Sequence, residues 1–408
     1  MRRAAIFSFL AISLAFGPIR AEMTPADRLA DYDYLIDQIA SHYAYLPERH
    51  LDLEKLRTLY RGAAESAAGR NDFLHMIEKV VGELHDPHAT LNRNTPSSPQ
   101  LIPTGAELWA ELQNGRAIIT EVRPGSPAEK AGIRAGAVLE NLNGISITEA
   151  VRAAAPKALI EPDPDADNAT LRVLLAGTHE GERRLSLSQN GARKEVTLAP
   201  YAPLQSQAPV TARKLEHGIG YIRIENSLGD TETVAAFDAA VKKLGKIRAL
   251  ILDLRNTPSG GNTDVAEPIL GRFIAKPAAY QRVFEPGPGK SFPKDSWLKM
   301  VSPRGPRITA KLVVLCDHWT GSMGEGMTIG LDALRHATSI GTPMAGLRGG
   351  TGPFTLPHSG ITVHFPIERL YHVDGTPREF WQPRILIDLT TRGPGDVILN
   401  RALEEARR

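Results

Sequence analysis

The chain has 408 residues, 42% of them apolar and 23% charged, and its 48 Lys and Arg against 46 Asp and Glu leave a formal net charge of +2. That length allows two or three domains with full cores. The near-neutral balance excludes nucleic acid or another polyanion as an expected partner, and the composition is neither collagen-like nor disordered. Cys316 is the only cysteine, which excludes an internal disulfide and a zinc site built on thiolates.

Arg2 and Arg3 precede an apolar run from Ala4 to Phe16, followed by Gly17, Pro18 and Ala21. This is the layout of a secretory signal peptide over residues 1–21, which predicts a secreted or periplasmic protein of the cell envelope. Ile19 departs from the small-residue rule at the cut, so an uncleaved anchor is the alternative. No other run reaches the ~18 apolar residues of a transmembrane helix.

Residues 22–95 read as a helical cap. Leu29, Tyr32, Leu35, Ile36 and Ile39 follow helical spacing after Thr24 and Pro25, a cap and first-turn proline. A second helix is predicted over Leu53–Ala68, with Leu56, Leu59 and Tyr60 on one face. A third covers Asn71–Leu84, striped by Phe73, Ile77, Val80 and Val81. It runs into Glu83–Leu91, ELHDPHATL, where Pro87 cannot continue the helix, so His85, Asp86 and His88 fall on a turn. Asn92–Pro103 is rich in Pro, Ser and Asn and reads as a linker.

The stretch 103–200 changes character. Ala117–Val122 reads as a strand, Ser126–Ala131 as a short helix, and Val138–Asn143 as a strand closed by Gly144. The run IITEVRPGSPAEKAGIRAGAVLENLNG resembles a PDZ domain in its helix entry, its turn glycines and its final N-G; Ala137 replaces the usual acidic residue. Gly177–Val196 supplies a hairpin and the last strands. The resemblance implies that a polypeptide partner binds there through its C-terminus, by strand addition.

From residue 211 to 408 strands alternate with helices, the pattern of a layered α/β domain. The strands are Ile219–Ile224, Ala249–Leu254 and Leu312–Cys316, and the helices Glu232–Leu244 and Asp264–Phe273. Pro277–Pro306 is rich in Pro, Gly and Lys and reads as a surface loop or flap. Leu252–Asn262, LDLRNTPSGGN, is a buried strand breaking into a glycine-rich turn whose amides can approach a ligand closely. Asp253 and Arg255 are read as a buried pair bracing that turn. After Leu312–Cys316 comes a polar turn and then a helix from Ser322 to Leu334. That arrangement holds a hydroxyl beside the free amides of a helix N-terminus, where an oxyanion is stabilised, although a serine there is most often an N-cap. Glu325 sits at capping-box spacing. Asp374–Pro383, DGTPREFWQP, is a turn after the strand Ile361–Phe365.

Taken in order, these motifs resemble the tail-specific (C-terminal processing) serine peptidase family. The likeness lies in the cap ending in L-x-D-x-H, the PDZ domain, the DLRN turn with its glycine pair, the S-x-x-E serine motif and the closing G-T-P-x-E segment. It implies an α/β multi-domain fold with a helical cap, a PDZ domain and a crotonase-like layered catalytic core. In the branch that uses a Ser–Lys dyad the lysine would fall at Leu347, and Arg348 cannot replace it because guanidinium stays protonated. The pattern is closer to the tricorn-core branch. By that resemblance Ser322 is the nucleophile, His88 the general base and Glu379 a supporting carboxylate. The amide of Met323 and that of Gly260 or Gly261 form the oxyanion hole. Histidine also suits the base chemically, since its unperturbed pKa lies near neutral pH. Pro87 stands where that branch has a second serine.

Three other readings weigh against this one. His85 and His88 are spaced as two metal ligands, but no third falls in register, so neither metal nor cofactor is expected. Thr320 breaks the G-x-S-x-G elbow of the α/β-hydrolases. His318, His358, His364 and His372 read as surface or packing histidines. The competitor from another class is a catalytically silent peptide- or hydrophobic-ligand-binding protein on the same fold, its cleft lined by Met323, Met327, Phe354 and Trp381.

Overall fold

A computed structural model describes residues 23–203, 206, 208–391 and 395–408. The leader read at residues 1–21 lies outside the described residues. Three sheets organise the rest.

The central sheet has six strands in the order Ile385–Leu386, Thr338–Gly341, Lys311–Cys316, Ala249–Asp253, Ile219–Ile224 and Val210–Leu215, and only the last pair is antiparallel. Its inner strands are nearly continuous Val, Ile and Leu because both faces are covered. Leu250, Leu252, Leu312 and Val314 point to one side, onto the helices Glu232–Leu244, Thr263–Leu270 and Met323–Arg335. Ala249, Ile251, Val313 and Leu315 point to the other, onto Val397–Arg407. The period of two therefore places each residue, and the carboxyl ends of Ala249–Asp253 and Lys311–Cys316 open side by side.

A second, five-stranded sheet is built on the long strand Thr362–Tyr371. The cap packs Tyr43, Ile77 and Val80 against Val363 and Phe365 of that strand. Thr90–Leu91, just after the ELHDPH turn, pairs with His364 and Val363. The turn is thus pinned on its exit side to the core. On its entry side the helix Arg70–Gly82 ends, Asp86 is buried, and Tyr43 donates to its Oδ2 at 2.8 Å.

The third sheet is the PDZ region, in the order Leu108–Gln113, Arg116–Val122, Val138–Leu142, Arg183–Gln189 and Ala192–Leu198. The helices Ile147–Ala154 and Pro164–Ala176 close it. It docks on the core through buried polar groups. Glu121 accepts from His318 at 2.5 Å and from Thr342 at 2.8 Å, while Trp319 donates to the Ala106 carbonyl at 2.7 Å.

Several expectations need correcting. Pro277–Pro306 is not a plain loop: it carries the strands Ala278–Phe284 and Trp297–Val301 of the second sheet. The helix expected over Leu53–Ala68 is two, Leu53–Leu59 and Arg61–Ser66, broken at Tyr60, whose φ of −109° and ψ of 1° are not helical. The linker Asn92–Pro103 is seated against the PDZ region, with the Gln100 amide on the Gly177 carbonyl at 2.8 Å. Met323, Met327, Phe354 and Trp381 do not share one cleft. The two methionines lie in the central core, Phe354 stacks on Phe365, and Trp381 packs with Cys316, Ile329 and Met344. No helix among the described residues is long and apolar enough to cross a membrane.

Candidate active site

The chain passes from Lys311–Cys316 into the helix Met323–Arg335 through Asp317–Ser322, and Ser322 sits at φ 49°, ψ −109°. For a residue with a side chain this is strained backbone, of order 1–3 kcal/mol, held only by what surrounds it. So Ser322 adopts a nucleophile-elbow conformation despite Thr320 at the motif's first glycine position. Three features fix it. The Ser322 amide donates to Glu325 Oε2 at 2.7 Å, Thr257 pairs with Thr320 across the two turns, and Gly324 gives the room that Thr257 needs. A Cβ at Gly324 would lie 2.2 Å from Thr257 Oγ1.

His88 arrives from the cap. Its Nε2 lies 3.1 Å from Ser322 Oγ, and its Nδ1 lies 2.6 Å from the Arg348 carbonyl. A carbonyl can only accept, so Nδ1 carries the proton and donates it there. Burial and the nearby Arg378 guanidinium push the imidazole pKa down to about 3, which keeps the ring neutral. A neutral ring protonated at Nδ1 presents a lone pair at Nε2, and the Ser322 hydroxyl donates to it. Asp86 accepts from the His88 main-chain amide at 3.0 Å, so the carboxylate in this turn orients the backbone and not the ring. His85 turns away, to Asp163 at 2.9 Å. The two histidines of H-x-x-H therefore diverge.

The glycine-rich turn lies against the serine. Gly260, at φ +66°, has no room for a side chain: a Cβ would sit 2.4 Å from Ser322 Cβ and 3.1 Å from the Met323 amide nitrogen. Its own amide donates to the Thr257 carbonyl at 3.1 Å. The Gly261 amide has no such acceptor among the described residues, and Met323 opens its helix with an amide outside the helical ladder. Of the two glycines read from the sequence, Gly260 thus contributes space and Gly261 a free donor.

Glu379 does not reach the pair directly; no hydrogen bond joins it to His88 or Ser322 among the described residues. It lies beside Tyr45, with Oε2 and the Tyr45 hydroxyl both lacking a hydrogen-bond partner, and burial raises its pKa. Burial raises the pKa of Asp86 and of Glu325, and the charge of Glu379 adds a smaller push to both. Asp253 and Arg255 form their pair at 2.7 Å, extended to Asp396 at 2.7 Å. His318 is buried and stacked on Trp109 at 4.5 Å. Reasoning from sequence missed Arg378, whose Nη2 donates to the Leu347 and Gly349 carbonyls at 2.7 and 2.8 Å. The available signal was its place beside Glu379 in GTPREF.

A separate cavity of about 560 Å³ opens between cap and PDZ region, lined by Val81, Leu101, Ala153, Val173 and Leu174 and by the back of the turn at Asp86 and Pro87. Ser322 is not among its lining residues.

Residues 218–387 match the model of peptidase family S41, and residues 118–155 that of a PDZ domain. The carboxy-terminal processing protease CtpB of Bacillus subtilis (strain 168) is 24% identical over 273 residues, which cover 64% of this chain and 50% of the relative. A probable CtpA-like serine protease of Staphylococcus aureus (strain COL) is 29% identical over 213 residues, 49% of this chain and 37% of the relative. The chain thus spans half or less of the length of these relatives. Among solved structures, mature CPAF superposes with a TM-score of 0.61 at 14% identity, covering 94% of this chain and 97% of the other. The photosystem II D1 C-terminal processing protease gives 0.57 at 18%, covering 89% and 93%. At those identities the likeness is one of fold. Fold and serine elbow together define the class, a layered α/β protein with the architecture of the processing proteases. The chain is similar to peptidase family S41 over residues 218–387 and to a PDZ domain over residues 118–155.

Proposed function

We propose that the protein is an exported serine endopeptidase that cleaves polypeptides at Ser322. The observation that carries this reading is the pair of bonds on His88: Nε2 to Ser322 Oγ at 3.1 Å, and Nδ1 committed to a carbonyl. As the hydroxyl attacks the scissile carbonyl, His88 Nε2 takes its proton, and the tetrahedral oxyanion forms against the amides of Met323 and Gly261. His88 then returns the proton to the leaving amine. Water then attacks the acyl carbonyl and gives a proton to the same nitrogen. That nitrogen passes it to Ser322 Oγ as the C–O bond to the serine breaks and the acyl group leaves as the acid. Glu379 acts on the site through its charge, by way of Asp86 and Glu325. The basic, then apolar, N-terminal segment supports export.

The PDZ region would present the substrate tail. Its edge strand Leu108–Gln113 is closed by its own helix: the Leu112 amide donates to Asn168 at 2.8 Å, and Arg172 reaches the Ala110 carbonyl at 3.4 Å. A peptide adding to this edge replaces those side-chain bonds with main-chain ones. The same helix, Pro164–Ala176, is capped by Asp163, which holds His85, and carries Asp165, which holds the Arg348 side chain at 3.2 Å. A tail bound there is therefore felt at both segments that hold His88.

The test is incubation with an unstructured polypeptide and a short peptide from it, products read by mass spectrometry. The reading expects cleavage by wild type and none by Ser322→Ala. Amidating the substrate C-terminus is expected to slow the long substrate more than the short one. Cleavage that survives Ser322→Ala would overturn the assignment.

A further inference from the structure

His88 Nδ1 meets a peptide carbonyl and no carboxylate among the described residues. A ring held by a loop is only as well oriented as the loop, and residues 346–349 are held with unusual completeness. Glu325 is fully buried on the helix that follows Ser322; its Oε2 accepts the Ser322 amide at 2.7 Å and its Oε1 the Gly346 amide at 3.0 Å. Arg378, also buried, donates to the carbonyls on either side of Arg348, those of Leu347 and Gly349, and lies 3.9 Å from Glu325. The Leu347 side chain is anchored among Ile102, Trp109, Ala176 and Ala345. Gly349, at φ +54°, approaches the neighbouring strand so closely that a Cβ would lie 1.9 Å from the Glu368 carbonyl oxygen.

We propose that Arg378 and Glu325 are positioning residues that act as one clamp on residues 346–349, making the Arg348 carbonyl the fixed third member of the site. The proposal rests on the reading of Ser322 and His88 given above. The clamp ties the two halves of the dyad together, because one carboxylate holds the serine's backbone and the loop that holds the histidine. Where the family resemblance would put a catalytic lysine side chain, at Leu347, this chain turns the side chain into the PDZ contact and uses the neighbouring backbone oxygen. When His88 takes the proton from serine, its Nδ1–H bond becomes charge-assisted and strengthens, provided the carbonyl stays in place. The two carbonyls flanking the acceptor take the two hydrogens of one nitrogen, Nη2, whose directions the planar guanidinium fixes, whereas a lysine ammonium rotates on its stem.

The experiment is the second-order rate of fluorophosphonate labelling, normalised to folded protein by thermal melting and read from about pH 4 to about pH 9, for wild type, Arg378→Lys, Arg378→Met and the double variant Glu325→Gln/Arg378→Met. Arg378→Lys keeps the charge but loses the planar group that aims both hydrogens of Nη2. It is expected to lower the plateau about tenfold or more while the acid limb stays below this pH window, as in wild type. Arg378→Met loses both, so the plateau falls about a hundredfold and the acid limb moves up toward the ordinary imidazole value of about 6.5. A merely structural role would lower the melting temperature without moving the limb. If Arg378→Met does not fold, the double variant, which removes both buried charges, and Arg378→Lys carry the test. A folded Arg378→Lys or double variant that labels at the wild-type plateau overturns the clamp. A wild type that never labels overturns the Ser322–His88 reading itself, and the clamp with it.

Discussion

Gly260→Ala isolates the contact between the glycine-rich turn and the serine. The new Cβ would sit 2.4 Å from Ser322 Cβ and 2.9 Å from Oγ, well inside van der Waals contact, and neither partner is a flexible chain end. The backbone at φ +66° adds the left-handed penalty for a residue with a Cβ, about 1–2 kcal/mol. Relief requires the two turns to part by roughly 1 Å, the gap between 2.4 Å and an ordinary contact of about 3.5 Å. A shift of that size at a reacting centre costs about a hundredfold in rate, or about 2.7 kcal/mol. The strain alone lowers the melting temperature by only about 2–8 °C. The assay compares kcat/KM on a short peptide with the thermal melt. A loss near a hundredfold in a protein that stays folded is expected. Wild-type kcat/KM in Gly260→Ala would refute the claim that this glycine supplies the room in which Ser322 works.

Because burial and Arg378 hold His88 far below its ordinary value, the acid limb of kcat/KM should lie well below pH 6.5. At pH 5 a free imidazole is about 3% neutral, so substantial activity there, measured against the plateau, is expected; half-activity near pH 6.5 would contradict it. Tyr43→Phe removes the hydroxyl from buried Asp86, which holds the His88 backbone, and should slow the enzyme several-fold, about 1 kcal/mol, with KM little changed. Glu121 is pushed up to about 7 by burial, so the folded state holds its proton more tightly than the unfolded chain. Its contribution to stability is therefore lost as pH rises from about 4.5 to about 7. Glu121→Gln, which keeps an oxygen to accept from His318 and Thr342, should gain in melting temperature on wild type across that window. A gap that stays flat with pH would argue against it.

How much the sequence disclosed depended on what kind of atom did the work. Period-two strands and the helix after Ser322 were legible because their apolar residues report both faces of the central sheet. Ser322 and His88, 234 positions apart, could be paired through family motifs but not through spacing. The hairpin within Pro277–Pro306 was hidden by its proline, glycine and lysine content. Its second strand, Trp297–Val301, is an edge strand with Trp297, Leu298 and Met300 exposed, so no core-facing pattern marks it. The acceptor for His88 Nδ1 is a main-chain oxygen, which carries no residue identity and could not be read at all. Gly260 and Gly261 could not be told apart either, because which amide already has an acceptor is again a backbone property. Glu379 was read as a supporting carboxylate, but its neighbour could not be read: it lies beside Tyr45, and the ring of His88 meets the Arg348 carbonyl.

The central claim is that Ser322 is activated by His88 reaching it from the cap. Fluorophosphonate labelling of purified wild type beside Ser322→Ala and His88→Ala, with the adduct located by peptide mass, tests it most directly. The account predicts one adduct, on Ser322, lost in both variants while their melts stay cooperative. Labelling of Ser322 at an undiminished rate in His88→Ala would contradict it.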